Sequence, residues 1–144
     1  MPITFTNNWK NILDKLESIL RNEFKGSIKV FTGKEDNPGN QYIRLNPVST
    51  ELLDYMHSAE FREFSIEMSY HFREPNIKRN SLEHIFRQVS RIEALIHDNV
   101  TATLSDSSKI TNVQLSSCDL DVGDSDSEYV VEWDLSCQHL ANIG

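Results

Sequence analysis

The stretch Phe61–Arg73 constrains this chain more than any other. Phe64, Ile66, Met68, Tyr70 and Phe72 fall on one parity, while Glu63, Ser65, Glu67, Ser69, His71 and Arg73 fall on the other. A period of two over this length fits only an extended strand with one face buried and the other turned to water or to a partner. A chain with such a strand must supply further strands beside it and something apolar to cover one side.

Two helices answer the second need. Trp9, Ile12, Leu13, Leu16, Ile19, Leu20 and Phe24 recur at helical spacing and form one apolar stripe. Asn7 or Asn8 is the expected N-cap, and Gly26 the expected stop. The second stripe is Leu82, Ile85, Phe86, Val89, Ile92, Leu95 and Ile96. Asn80 followed by Glu83 reads as its capping box. Its outer face carries Arg87, Gln88, Arg91 and Glu93. Lys78 and Arg79 precede the cap, the unfavourable end of the helix dipole for cations, and so are candidates for an acidic partner elsewhere.

The remaining strands follow from alternation and from breakers. Ile28–Phe31 is a short strand, and the Gly, Pro, Asn and Asp residues between Thr32 and Asn40 spell a loop. Gln41–Asn46 is a strand that Pro47 is expected to end. Val48–Glu60 reads either as a short helix or as the tip of a long hairpin arm. It carries Leu52, Leu53, Tyr55 and Met56, more apolar matter than a free loop needs, so it either folds back on the core or meets a partner. Lys109–Val122 and Glu128–Leu140 are strands, joined by a turn at 123–127. A parity change near Ser116-Ser117 predicts a β-bulge. The order α-β-β-β-α-β-β predicts one α+β domain over 1–144, with an antiparallel or mixed sheet and both helices on one face.

Charge narrows the function. The net charge is −8; residues 1–100 carry 13 Lys/Arg against 14 Asp/Glu, and residues 101–144 carry one against eight. An acidic surface disfavours specific nucleic-acid binding, yet it suits a wall along which DNA slides without sticking. Apolar runs are too short to span a bilayer, and the first residues do not read as a secretory signal. Cys118 and Cys137 are therefore expected as reduced thiols.

No motif for catalysis emerges. His57, His71, His84, His97 and His139 are dispersed without a metal-ligand spacing, and no phosphate-binding or nucleophile signature is present. Asp119, Asp121, Asp124, Asp126 and Glu128 alternate, but an EF-hand needs Gly at its sixth position and Glu at its twelfth, where this chain has Asp124 and Val130. No enzyme, cofactor or metal site is expected. A metal-dependent hydrolase or nuclease would require two or more of Glu63, Glu67, His71 and Asp134 to converge in a pocket. A single-partner adaptor domain is a third reading.

The order and size of the segments resemble those of the tail-terminator (tail completion) proteins of long-tailed bacteriophages, of the lambda minor tail protein U type. The resemblance runs from the helix Trp9–Phe24 through the strand ending Leu45-Asn46-Pro47, the strand Phe61–Arg73 and the helix Ser81–His97. It ends in the closing hairpin that contains Tyr129–Leu135. It implies a virion protein of tail or neck, assembled in the host cytoplasm as a hexameric ring. That ring would cap the tail tube, stop its polymerisation and meet the connector or neck proteins and any sheath, with DNA passing through unbound. Neck and head–tail joining proteins share similar elements and give the alternative role. Asp119, Asp121, Asp124, Asp126 and Glu128 are then candidates for the lumen lining. Leu52, Leu53, Tyr55, Met56, Lys78, Arg79, Arg87 and Arg91 are candidates for interfaces.

Overall fold

The structure is a computed structural model describing residues 5–33, 39–73, 79–122 and 128–142, with the side chains of 79–81, 121, 122 and 142 left undescribed. Its elements are α1 (Asn8–Phe24), β1 (Lys29–Thr32), β2 (Gln41–Met56), β3 (Ala59–Arg73), α2 (Arg79–Asp98), β4 (Ala102–Thr103), β5 (Lys109–Val122) and β6 (Glu128–Asn142). The strands form one sheet in the order β1-β2-β3-β6-β5-β4. Only β1 and β2 run parallel; the other four pairings are antiparallel. The α+β class and the element order stand as expected, with β4 added.

The alternation in β3 sets the core. Phe64, Ile66, Met68 and Tyr70 are buried, and they are in register with Cys137, Leu135, Trp133 and Val131 of β6, also buried. Both helices lie on this face: Trp9 of α1 meets the Phe64 ring edge-on at 4.8 Å, and His84 of α2 lies 5.5 Å from the Phe72 ring. The helix α1 buries Ile12, Leu16, Ile19, Leu20 and Phe24. Its cap is Asn7, whose side chain accepts from the Lys10 backbone N–H at 3.1 Å. Its exit is the left-handed pair Lys25 (φ 48°) and Gly26 (φ 87°), a backbone that glycine adopts without steric cost.

Four expectations need correction. Pro47 does not end β2, which continues to Met56. The proline lies beyond the Tyr42–Leu45 segment that β1 covers and at a register shift between Pro47 and Ser49, so its missing N–H breaks no regular ladder. Val48–Glu60 is no helix: it is a hairpin turning at His57-Ser58, between Met56 and its register partner Ala59. Phe86 is 48% exposed, because it sits at the edge of the α2 stripe, beside Ile85, which is fully buried. Asn80 lies inside the first turn of α2, not ahead of it, because the helix begins at Arg79. The bulge near Ser116-Ser117 appears as a register shift between Leu115 and Cys118, and a second shift between Thr111 and Gln114 brings Asn112 to φ 52°.

Cys118 and Cys137 are free thiols. Cys118 is in register with Trp133, four residues from Cys137 along β6, or about 13 Å at strand rise and beyond bridging reach. Burial pushes the Cys137 thiol up to about 12, with nearby Glu63 adding to the shift.

Candidate functional site

Two surfaces stand out, both products of the long central strands. The first is the open face of the sheet, opposite the helices. The parity that buries Phe64 to Tyr70 turns Glu63 and Glu67 outward, and register carries the same side across to Glu132 and Asp134 of β6. Three pairs of acids stand directly opposite one another: Glu51 with Glu63, Glu67 with Asp134, and Asp119 with Glu132. Like charges so placed destabilise a sheet. Asp134 is further fixed by the Ser117 hydroxyl, which donates to Oδ2 at 3.0 Å.

At the end of this face beside the 123–127 connection the acids give way to a mixed cluster. His71 stacks on Tyr42 with ring centroids 4.3 Å apart, and Tyr42 stacks on Phe31 at 5.3 Å. The Arg73 guanidinium lies 5.8 Å from the Tyr42 ring. Glu128 sits 3.5 Å from both His71 Nδ1 and Arg73 Nε. The Ser69 hydroxyl lies 2.9 Å from His71 Nε2. Burial lowers the His71 pKa against the opposing pull of Glu128, with Arg44 and Arg73 adding to the lowering.

The second surface is the distal half of β2. All ten residues Pro47–Met56 are exposed, on both faces of the hairpin. Among the described residues no strand covers their outer edge, since β1 reaches only Tyr42–Leu45. Val48 is 61% exposed and Tyr55 64%, with Leu52, Leu53 and Met56 above two-fifths. The arm therefore does not fold back onto its own core. Two register shifts, Pro47/Ser49 and Leu52/Asp54, keep it from being a flat template for another strand.

The expected site residues are dispersed over these surfaces. Leu52, Leu53, Tyr55 and Met56 lie together on the arm. Arg87 is exposed on α2. Arg91 is engaged within the chain: it donates from Nε to Glu23 Oε1 at 2.8 Å and lies 4.7 Å from the Phe24 ring, pinning α2 to the end of α1. Lys78, Asp124 and Asp126 lie outside the described residues, as do the side chains of Arg79 and Asp121. Asp119 joins the acid pairs, whereas Glu128 is matched by Arg73 and His71.

Of the residues a hydrolase would need, Glu67 and Asp134 come together on a sheet face, while Glu63 is in register with Gln138 and His71 turns to Glu128. Among the described residues no three of His, Cys, Asp and Glu are placed to share a metal ion. No described helix is long and apolar enough to cross a membrane.

The side of the molecule at the C-terminal end of α1 was not singled out by sequence. A groove of about 420 Å³ opens there, lined by Arg21, Lys25, Gly26, Ile28, Lys29 and Val30. Arg21 donates to the Val30 carbonyl at 2.8 Å. Its neighbour Glu17 accepts from the Thr32 hydroxyl at 2.7 Å. The spacing of these cations along α1 and β1 was readable, but their meeting depends on the turn at Lys25-Gly26.

No family model and no curated protein matches the sequence. Among solved structures, the fold is similar to a chain of the virion of a native gene transfer agent particle, at a TM-score of 0.68 and 10% identity, over 95% of this chain and 100% of that one. A second solved structure aligns at a TM-score of 0.64 and 16% identity, over 93% of this chain and 96% of that one.

Proposed function

We propose that this chain is a virion structural protein that works by assembly: copies close into a ring, hexameric in the tail-terminator pattern, which caps the tail tube and joins it to the neck or head. The observation that carries this reading is the end-to-end likeness of the fold to a component of a gene transfer agent virion, with nothing large left over on either side. The two surfaces fit such a role. An arm with apolar residues exposed on both faces is costly in a free monomer and useful in an assembly.

The open face fits the inner wall of the ring. Rows of opposed carboxylates cost stability in the subunit, and they repel phosphate, so DNA passes without adhering. This replaces the 119–128 hairpin as the main candidate lining, since Glu128 is matched by Arg73 and His71. The ring would act by shape and contact, with no bond made or broken.

Light scattering and negative-stain imaging of the purified chain, alone and mixed with tail tubes, test the reading. Six-fold rings, and densities at one end of each tube, are the expected outcome. A chain that stays monomeric at all concentrations and does not bind tubes, while showing divalent-dependent hydrolysis, would sink it.

A further inference from the structure

We propose that the β2 arm of one copy seats in the Arg21–Lys25–Lys29 groove of the next copy, making the head-to-tail contact that closes the ring; this rests on the ring reading above.

Charge selects the occupant. The arm, Pro47–Met56, carries Glu51 and Asp54 and no base. The groove is lined by three cations and no acid. Its walls are the aliphatic stems of those cations over Ile28 and Val30, so it offers apolar contact to Leu53, Tyr55 and Met56 as well as charge. The other unpartnered surfaces fit the arm less well. The open sheet face has the same sign of charge as the arm, and so does β5 near Asp119.

Geometry selects the polarity. Lys29 at the groove is in register with Tyr42, at the start of β2, whereas the arm ends at Met56. Fourteen residues of strand separate them, roughly 45 Å at strand rise. Groove and arm tip thus lie at opposite ends of one strand axis. Two different patches at opposite ends of a subunit make a heterologous contact, which propagates head to tail and closes into a ring when the rotation allows. The contact is made by side chains and not by strand addition, because the arm is bulged and the Val30 carbonyl at the groove is already taken by Arg21.

Charge reversal tests this in the full chain. Glu51→Lys with Asp54→Lys, or Lys25→Glu with Lys29→Glu, should each weaken self-association at low salt by at least about tenfold, since like charges brought together across an interface cost several kcal/mol. Both changes lie at exposed positions, so thermal melts should report an intact fold. Mixing the two variants should restore rings, with positive arms in negative grooves and the reverse. Tyr55→Cys combined with Lys25→Cys should give a ladder of disulfide-linked oligomers under oxidation. If wild-type rings survive both reversals, or if Glu67→Lys dissolves them while arm reversal does not, the docking is overturned and the ring reading stands. A wild-type chain that neither self-associates nor caps tubes overturns both.

Discussion

Glu67 of β3 and Asp134 of β6 stand directly opposite each other on the open face of the sheet, two carboxylates in register on the longest uninterrupted strand pairing of the molecule. The fold would be better served by almost any other pair. Glu67→Gln or Asp134→Asn should therefore stabilise the subunit by about 0.2–1 kcal/mol, the range of cross-strand pair effects. At this chain length that is a rise of a few degrees in Tm, about 2–4 °C per kcal/mol. The gain should shrink as salt is raised, and a salt-independent gain would point to packing instead of charge.

Two histidines set the response to mild acid. Burial lowers the pKa of His71 and of His139 below the ordinary 6.5, against opposing pulls from Glu128 and Asp106 respectively. A histidine whose pKa is lower folded than unfolded binds its proton more readily in the unfolded chain. Stability is then full above pH 6.5 and falls as pH drops through 6.5 toward the folded value. His139 is 1% exposed, with its Nε2 2.9 Å from the Ser108 hydroxyl, and should contribute most. Thermal melts between pH 7.5 and 5.5 should show this loss, and His139→Gln should flatten it.

Trp133 is the largest fully buried side chain, and its indole N–H has no partner. An unpaired buried donor costs free energy, so Trp133→Phe removes a penalty as well as packing area. Its net effect should stay within about 1.5 kcal/mol, as for other swaps that keep most of the volume. Trp133→Ala leaves a cavity and should cost about 3–5 kcal/mol. Urea titration of the two variants separates these outcomes.

Arg91 bonds twice to Glu23, through Nε to the carboxylate and through a second guanidinium nitrogen to the backbone carbonyl at 3.2 Å. Both partners are more than a third exposed, so the pair is screened, and Arg91→Ala should cost no more than about 1 kcal/mol. Arg91→Lys should not recover the loss, because one ammonium cannot span both acceptors while lying over the Phe24 ring. Denaturant midpoints of the two variants should coincide.

Much of this architecture was legible because it is periodic. The alternation of Phe64 to Phe72 and the stripes from Ile12 to Phe24 and from Ile85 to Ile96 each depend on residues a few positions apart. What was hidden depends on distant partners. Pro47 reads as a terminator until one knows that β1 stops at Leu45 and leaves the proline at a bulge. Arg91 reads as a free surface cation until Glu23, 68 residues away, is placed beside it. The two-residue β4 is too short for any period to show. The acid rows were visible as residues but not as pairs, since register across β3 and β6 is a property of the assembled sheet.

The sheet has short end strands beside long neighbours: four residues of β1 against sixteen of β2, and two of β4 against fourteen of β5. Much of its rim is therefore bare backbone among the described residues. What keeps such molecules apart in solution is colloidal, the mutual repulsion of a chain with net charge −8. That protection vanishes near the isoelectric point, about 5.0. Acidified stocks should thus turn turbid before they unfold, and the soluble pool of free subunits should be governed as much by buffer pH as by the strength of the contacts that build the ring.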